Sequence, residues 1–333
     1  MHDINHQIVL ARRPNGIPVE EDFRLEENVL PVPEKGELLL ENLYISLTPG
    51  DRLYMNNAID LNSVVRAHTL AQVVDPNNCQ IFKKGELVLA KGGWQRYSAE
   101  RENSIKPIPL VWDPITINLW ILESQGFAAY FGLLDIGQPN PGNTVLISGA
   151  TGAIGSIAGQ IARLYGCKVI GICQNTSQKK KWLIDELGFD AVVDESDLEN
   201  SLIDSCQNGI DIFFDNVGGE ILDAVLRFIG KKGADQARII SCGMISQYNR
   251  TKDEKAYGIR NLHTLINRRA TVKGFIVGDY SKRYSESLSY LTKWLKNGEI
   301  KYKEDITIGI VNTPRAFINS MNRQSFGKAL VQV

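Results

Sequence analysis

The sequence predicts an α/β protein of two domains, an irregular β-barrel followed by a doubly wound parallel sheet. Three observations carry this. At 333 residues the chain exceeds what one small core organises. Its rhythm changes near residue 119, from strand-rich and proline-punctuated to apolar strands alternating with amphipathic helices. And "VLISGATGAIGSIAGQ" (145–160) reads as a strand, a tight glycine turn and a helix. The expected domains are 1–118 for the barrel, 119–285 for the parallel-sheet domain, and 286–333 as a C-terminal segment returning to the barrel.

In the first domain, "GELLLENLYISL" (36–47) and "GELVLAKGGWQRYSA" (85–99) are β-prone runs that each follow a Gly-Glu turn. Trp94 and Tyr97 are expected to pack inside the barrel. From 119, "NLWILESQGFAAYFGLLDIG" has helical character. "TVLISG" is a strand, "AIGSIAGQIARLYG" a helix and "KVIGIC" a strand. "SQKKKWLIDELG" is a helix, followed by the strands "AVVD" and "IDIFFD". "GEILDAVLRFI" is a helix, and "ARIISCG" and "TVKGFIVG" are strands. Strands separated by helices imply βαβ units and a parallel sheet covered on both faces. "YSESLSYLTKWLKNGEI" (284–300) reads as a helix, and the tail returns to strand and short helix.

Composition narrows the function classes. The chain is 43% hydrophobic and 23% charged, with a net charge of −1. That gives no electrostatic case for nucleic acid or for an anionic membrane surface. No apolar run reaches a membrane span, and the N-terminus lacks a signal-peptide core, so a cytoplasmic protein is expected. Cys79, Cys167, Cys173, Cys206 and Cys242 are scattered and never spaced C-x-x-C. With His2, His6, His68 and His263 they form no ligand set, so no metal site is expected.

The turn at 149–155 has glycines at 149, 152 and 155, and Ala150 stands where the dinucleotide fingerprint has its first glycine. In its strand–turn–helix context the motif still predicts a pyrophosphate site. The turn needs small residues so that main-chain N–H groups can approach the ligand, and the helix N-terminus favours an anion. Ala150 is compatible if the backbone there needs no positive φ. NAD sites usually carry an acidic residue at the end of the second strand. Here "KVIGIC" runs into "QNTSQKKK", and no carboxylate appears before Asp185. Thr176, Ser177, Lys179, Lys180 and Lys181 suit a 2′-phosphate instead, and so NADPH. Three successive lysines cannot all face one ligand, and any one of them can equally be a solvated helix residue.

With these motifs in hand, the chain resembles the zinc-independent medium-chain dehydrogenases/reductases, in the prostaglandin reductase, alkenal double-bond reductase and curcumin reductase group. The likeness runs almost end to end. It is densest in "AAYFGLLDIGQPNPGNTVLISGATGAIGS", "NGIDIFFDNVGGEILDAVL", "SCGMISQYN", "GFIVGDY" and "FGKALVQV". The resemblance implies a GroES-like barrel, a Rossmann domain, a cleft between them and a homodimer. It implies NADPH-dependent hydride transfer to the β-carbon of an α,β-unsaturated ketone or aldehyde, an enolate stabilised by a tyrosine, and protonation at the α-carbon.

Carried over residue by residue, the pyrophosphate turn is Ala150, Thr151, Gly152, Ala153, Ile154 and Gly155, with Thr176 and Lys179 at the 2′-phosphate. Asn216, Cys242, Gly243, Met244, Ile245 and Ser246 fall on the cofactor. So do Phe275, Ile276 and Val277, beside the nicotinamide. Tyr248 is the expected catalytic residue, near both the nicotinamide and the substrate carbonyl. The chain departs from the group at four places. Gly50, in "TPGDRLYM", stands where the group has an active-site tyrosine, with Tyr54 as a possible replacement. Glu195 stands for a phosphate-side tyrosine and Ser325 for a cofactor asparagine, and the 174–176 loop carries one extra residue. Two alternatives stay open: an NADPH quinone reductase, or a nucleotide-binding protein with little catalysis, which the loss at Gly50 would favour.

Overall fold

A computed structural model describes residues 4–174, 176–230, 236–251 and 253–333. The chain packs into two compact units. One comprises the residues up to Trp120, 248–254, and those from Glu304 onward; the other comprises 121–247 and 255–303.

In the first unit, β1 (Ile4–Leu10) and β2 (Phe23–Val29) form an antiparallel pair. β3 (Glu37–Ser46), β4 (His68–Asp75), β5 (Leu87–Ala90), β6 (Tyr97–Arg101) and β7 (Lys106–Pro107) belong to a larger sheet. Its core is apolar: Leu38, Leu40, Ala71, Val73, Val88 and Ile105 pack around Phe82. Trp94 is buried between Phe23 and Phe317, with ring centroids 5.2 and 5.4 Å away. Tyr97 is also buried, its hydroxyl donating to Glu41 Oε1 at 3.2 Å. Both aromatics are packing residues of this unit.

The second unit is built on six parallel strands. These are β8 (Thr144–Ser148), β9 (Lys168–Cys173), β10 (Ala191–Asp194), β11 (Ile212–Asp215), β12 (Arg238–Ser241) and β13 (Thr271–Gly274). Their spatial order is β10-β9-β8-β11-β12-β13. The order reverses between β8 and β11, which is the topological switch point where open α/β sheets take their ligands, outside the carboxyl ends of the strands. β8 is buried along its whole length, as a strand covered on both faces must be. The helix Ala153–Leu164 lays Ile157, Ala158, Ile161 and Ala162 into the core.

Several boundaries differ from the sequence expectation, three of them by more than a turn or across units. The helix expected from 119 begins at Ser124, where the Glu123 side chain accepts the Ser124 N–H and caps it; a 3-10 turn, Ile115–Leu119, precedes it. β13 ends at Gly274, because its partner β12 stops at Ser241, and the chain then turns into a 3-10 helix, Val277–Arg283. Residues 286–303, expected in the returning tail, belong to the second unit. Their helix, Tyr284–Lys296, receives the Tyr130 hydroxyl on Glu286 at 2.9 Å. Gln160 grips Lys301 in both directions, through Nε2 to its carbonyl at 2.9 Å and Oε1 from its N–H at 2.7 Å.

The tail then enters the first unit's sheet. β14 (Glu304–Ile308) runs parallel to β15 (Lys328–Gln332), and β15 pairs antiparallel with β3. One edge of β3 is shared. Glu37–Glu41 pair with β6, and Tyr44–Ser46 pair with β15. Among the described residues, no helix is long and apolar enough to cross a membrane.

Candidate active site

The glycine turn sits at the switch point, after β8. Gly149 takes the positive φ of the turn, 61°, and Ala150 does not. This is why an alanine is accepted there. Ala150 is fully buried, its N–H donates to the Ile172 carbonyl, and its methyl lies against Gly171 of β9. A side chain at Gly155 would collide with the Gly149 carbonyl, so a glycine is needed for the helix to close onto the turn. At Gly152 a Cβ would meet only that carbonyl, at 3.3 Å. Gly152 is the N-cap, and no side chain caps the helix or places an acid in its first turn. Thr151 is buried, and Gly152, Ala153 and Ile154 are half-buried. The N-terminus of Ala153–Leu164 thus fits a pyrophosphate, with no side chain competing for its N–H groups.

The end of β9 separates the three lysines. Thr176 caps the helix Ser177–Lys181, its Oγ1 accepting from the Lys179 N–H at 3.2 Å. Lys179 is buried, 7% exposed, whereas Lys180 and Lys181 are exposed. The Cys173 thiol reports what surrounds it. Burial pushes it up to about 12, the Glu195 carboxylate pushes the same way, and the Lys179 ammonium pulls it down. Asp194 pairs with Cys173 across β10 and β9, which brings Glu195 to the same strand ends as Lys179. Of the 174–176 loop, Asn175 lies outside the described residues.

On the other side of the switch point, Asn216 is fixed to β8. Its N–H donates to Ser148 Oγ and its Nδ2 to the Ser148 carbonyl, both at 2.8 Å. The Ser148 hydroxyl in turn donates to Asp215 Oδ1, which also accepts the Val217 and Gly218 N–H groups. Burial raises the Asp215 carboxyl above its usual range, against the pull of these three bonds. The segment after β12 follows this loop. Cys242 and Gly243 donate to the Asp215 carbonyl, Ile245 to that of Asn216, and Ser246 to that of Val217. The Ser246 hydroxyl adds a second bond to Val217 O at 2.6 Å. Burial and Asp215 push the Cys242 thiol up to about 12, so it is protonated and no nucleophile. Tyr248 ends the short helix Ile245–Tyr248, where the chain leaves the second unit for 248–254.

The ring of Phe275 packs inward, against Gly132 beside Phe214 and edge-on to Tyr280. Ile276 is exposed and Val277 half-buried. Ser325 lies in the first unit, half-buried before β15. Gly50 precedes the short helix Asp51–Tyr54. The Tyr54 ring is capped by the Arg66 guanidinium at 3.7 Å, and Arg66 also reaches Asp51 at 3.7 Å. Sequence reasoning missed Ser148 and Asp215, both buried beneath the glycine turn. Their signal was present as polar residues closing two otherwise apolar strands.

Two family profiles match the chain. One, the N-terminal domain of oxidoreductase, covers residues 6–108; the other, zinc-binding dehydrogenase, covers 153–293. An NADPH-dependent curcumin reductase of Escherichia coli is 36% identical over 99% of this chain and 97% of its own. A prostaglandin reductase 1 of Bos taurus is 36% identical over 95% of each. The crystal structure of CurA from Vibrio vulnificus in complex with NADPH superposes with a TM-score of 0.90, at 40% identity over 98% of this chain and 99% of that one. The chain belongs to the medium-chain dehydrogenase/reductase family, in its group of prostaglandin, alkenal double-bond and curcumin reductases. The zinc of the second profile's description does not fit the side chains. Among the described residues, no three His, Cys, Asp or Glu gather as ligands.

Proposed function

We propose that this chain reduces the C=C bond of α,β-unsaturated ketones and aldehydes. It is an NADP-dependent oxidoreductase, and NADPH is its cofactor. The observation that carries the reading is Lys179, the one lysine of three that turns inward, at a strand end without the acidic residue an NAD site would use.

Main-chain N–H groups of Ala153 and Ile154 hold the pyrophosphate in this reading, with Ala150, Thr151, Gly152 and Gly155 shaping the turn; the Gly152 N–H closes that turn on the Gly149 carbonyl. Thr176 and Lys179 take the 2′-phosphate. Asn216 and Cys242, Gly243, Met244, Ile245 and Ser246 line the nicotinamide end, Phe275, Ile276 and Val277 flank it, and Ser325 completes the set. Bound NADPH supplies a hydride to the substrate's β-carbon. The Tyr248 hydroxyl donates a hydrogen bond to the substrate carbonyl oxygen, where negative charge collects as the enolate forms. The α-carbon then takes a proton, which completes the addition of two hydrogens across the bond.

A homodimer is part of the same reading. β13 is the last strand of its sheet and is exposed along its length, Val272 included, with Ile276 on the surface just beyond it. All five cysteines are unpaired, which supports a cytoplasmic setting. The test is NADPH oxidation against short enals, long enones and quinones. Turnover of enones with saturated ketone as product is expected. Quinone turnover with no enone turnover would replace the proposal by a quinone reductase.

A further inference from the structure

Residues 248–254 form an excursion: the chain leaves the second unit after Gln247 and re-enters it at Lys255. Within the first unit the excursion packs beside Gly16, whose Cβ would meet Thr251 and the Asn249 carbonyl. Both of its limbs are tied down within the second unit. The departing limb is held by the two bonds from Ser246 to Val217 O. On the returning limb one side chain gathers several bonds. Asp223, on the helix Gly219–Leu226, accepts the Arg260 N–H on Oδ1 at 2.9 Å and the Asn261 N–H at 2.8 Å. Its Oδ2 accepts the Tyr257 hydroxyl at 3.0 Å, and its main-chain carbonyl accepts Asn261 Nδ2 at 2.9 Å. The limbs are also joined to each other, by the Tyr257 N–H to Gln247 Oε1 at 3.1 Å.

Asp223 is therefore more than a helix residue with a satisfied carboxylate. It is 5% exposed and 34 to 38 residues distant in sequence from the groups it binds. Burial alone would raise its carboxyl. The Asn261 N–H, the Tyr257 hydroxyl and the Arg260 N–H outweigh burial and hold it below the usual carboxylate range. It thus stays an anionic acceptor at neutral pH and binds through charge-assisted bonds, the stronger kind.

We propose that Asp223 is a positioning residue for the reduction: it clamps the returning limb and, through Tyr257 and Gln247, fixes the turn that ends in Tyr248. The inference rests on the reading of Tyr248 as the carbonyl donor. A donor displaced by about 1 Å loses most of its value to the transition state, while the pyrophosphate and phosphate ends of the cofactor are held by other residues.

The test is a double-mutant cycle of Asp223→Ala and Tyr248→Phe in the full chain, with kcat for an enone and KM for NADPH measured in each. Asp223→Ala is expected to lower kcat about 10- to 100-fold and to leave KM for NADPH within about three-fold. Because Asp223 acts through Tyr248, it should cost almost nothing further in the Tyr248→Phe background. Asp223→Asn keeps an oxygen for the two N–H groups and should recover much of the loss. Tyr257→Phe removes one bond only, and gives a smaller loss of the same kind should Asp223→Ala fail to fold. Multiplying effects in the cycle would overturn the proposal. Wild-type kcat in folded Asp223→Ala, with Tyr248→Phe impaired, would overturn the clamp and leave Tyr248 standing. A silent Tyr248→Phe would remove the donor reading and the clamp with it.

Discussion

The hydroxyl of Ser148 and the carboxylate of Asp215 meet at 2.7 Å with both side chains buried, and the same hydroxyl oxygen accepts the Asn216 N–H at 2.8 Å. One serine thus joins the end of β8 to the end of β11 across the point where the strand order reverses. Ser148→Ala takes the acceptor from the N–H of half-buried Asn216 and one of three donors from buried Asp215. A loss of about 1–3 kcal/mol is expected in denaturant unfolding, with weaker NADPH binding. An unchanged midpoint and unchanged NADPH affinity would show that the junction is not what orders Asn216.

Cofactor choice should follow burial. In the proposed reading the turn at 149–155 holds the pyrophosphate that NADPH and NADH share, so it cannot distinguish them. A charge-assisted bond from Lys179 contributes about 1.5–3 kcal/mol, or roughly 10- to 150-fold. Lys179→Ala should therefore lower kcat/KM for NADPH within that range and leave NADH nearly untouched, while Lys180→Ala changes neither. Glu195→Tyr removes a carboxylate from the same strand ends and should raise NADPH affinity. Equal use of both cofactors by the wild type would end the assignment.

Tyr248→Phe isolates the hydroxyl. Removal of one oxyanion donor commonly costs ~10²–10³ in rate. kcat for an enone is expected to fall toward that range, with NADPH affinity within a few-fold. Wild-type kcat would dismiss the hydroxyl from the chemistry.

Asp51 gives the first unit a stability component that is present in acid and lost as pH rises. Burial pushes its carboxyl up to about 6, against the pull of Arg66 and of Lys328, a buried lysine whose Nζ donates to the Leu47 carbonyl. The folded state therefore holds this proton more tightly than the unfolded chain, whose Asp titrates near 3.9. The resulting stability is fully present below about pH 4 and is lost as pH rises to about 6, by at most about 3 kcal/mol. Asp51→Asn should abolish this component. As pH rises through that window the wild type's unfolding free energy should fall relative to the variant's, and parallel curves would refute it.

Activity should survive exhaustive chelation, since no ligand set is assembled among the described residues. Loss with EDTA and recovery with zinc would contradict this.

Much of the candidate site was legible because its demands are local. A strand, a turn with glycines at 149 and 155, and a helix announce a pyrophosphate site in sixteen residues, and the missing acid after "KVIGIC" speaks to the phosphate. Which lysine turns inward was not legible in the residues themselves, since Lys179, Lys180 and Lys181 are chemically equal and only the path of the helix separates them; the family resemblance alone singled out Lys179. Asp223 was invisible for a different reason. Its partners lie 34 to 38 residues away in a loop without periodicity, so nothing local marks it. The helix starting at 284 was readable, although it ends at 296 rather than 300, but not which unit it joins, because that depends on Gln160 and Lys301 meeting.

The shared edge of β3 has a consequence for how the protein is made. Residues 44–46 have their partners in the last strand, 330–332, almost three hundred positions later. A ribosome releasing the chain from its N-terminus therefore exposes half an edge of that strand throughout synthesis. The six-stranded parallel sheet, by contrast, has all its strands once residue 274 has emerged. The second unit can complete while the first still waits for its final strand. The N-terminal segment is thus begun first and finished last, and a chain truncated before Lys328 leaves that edge open to strands of other chains.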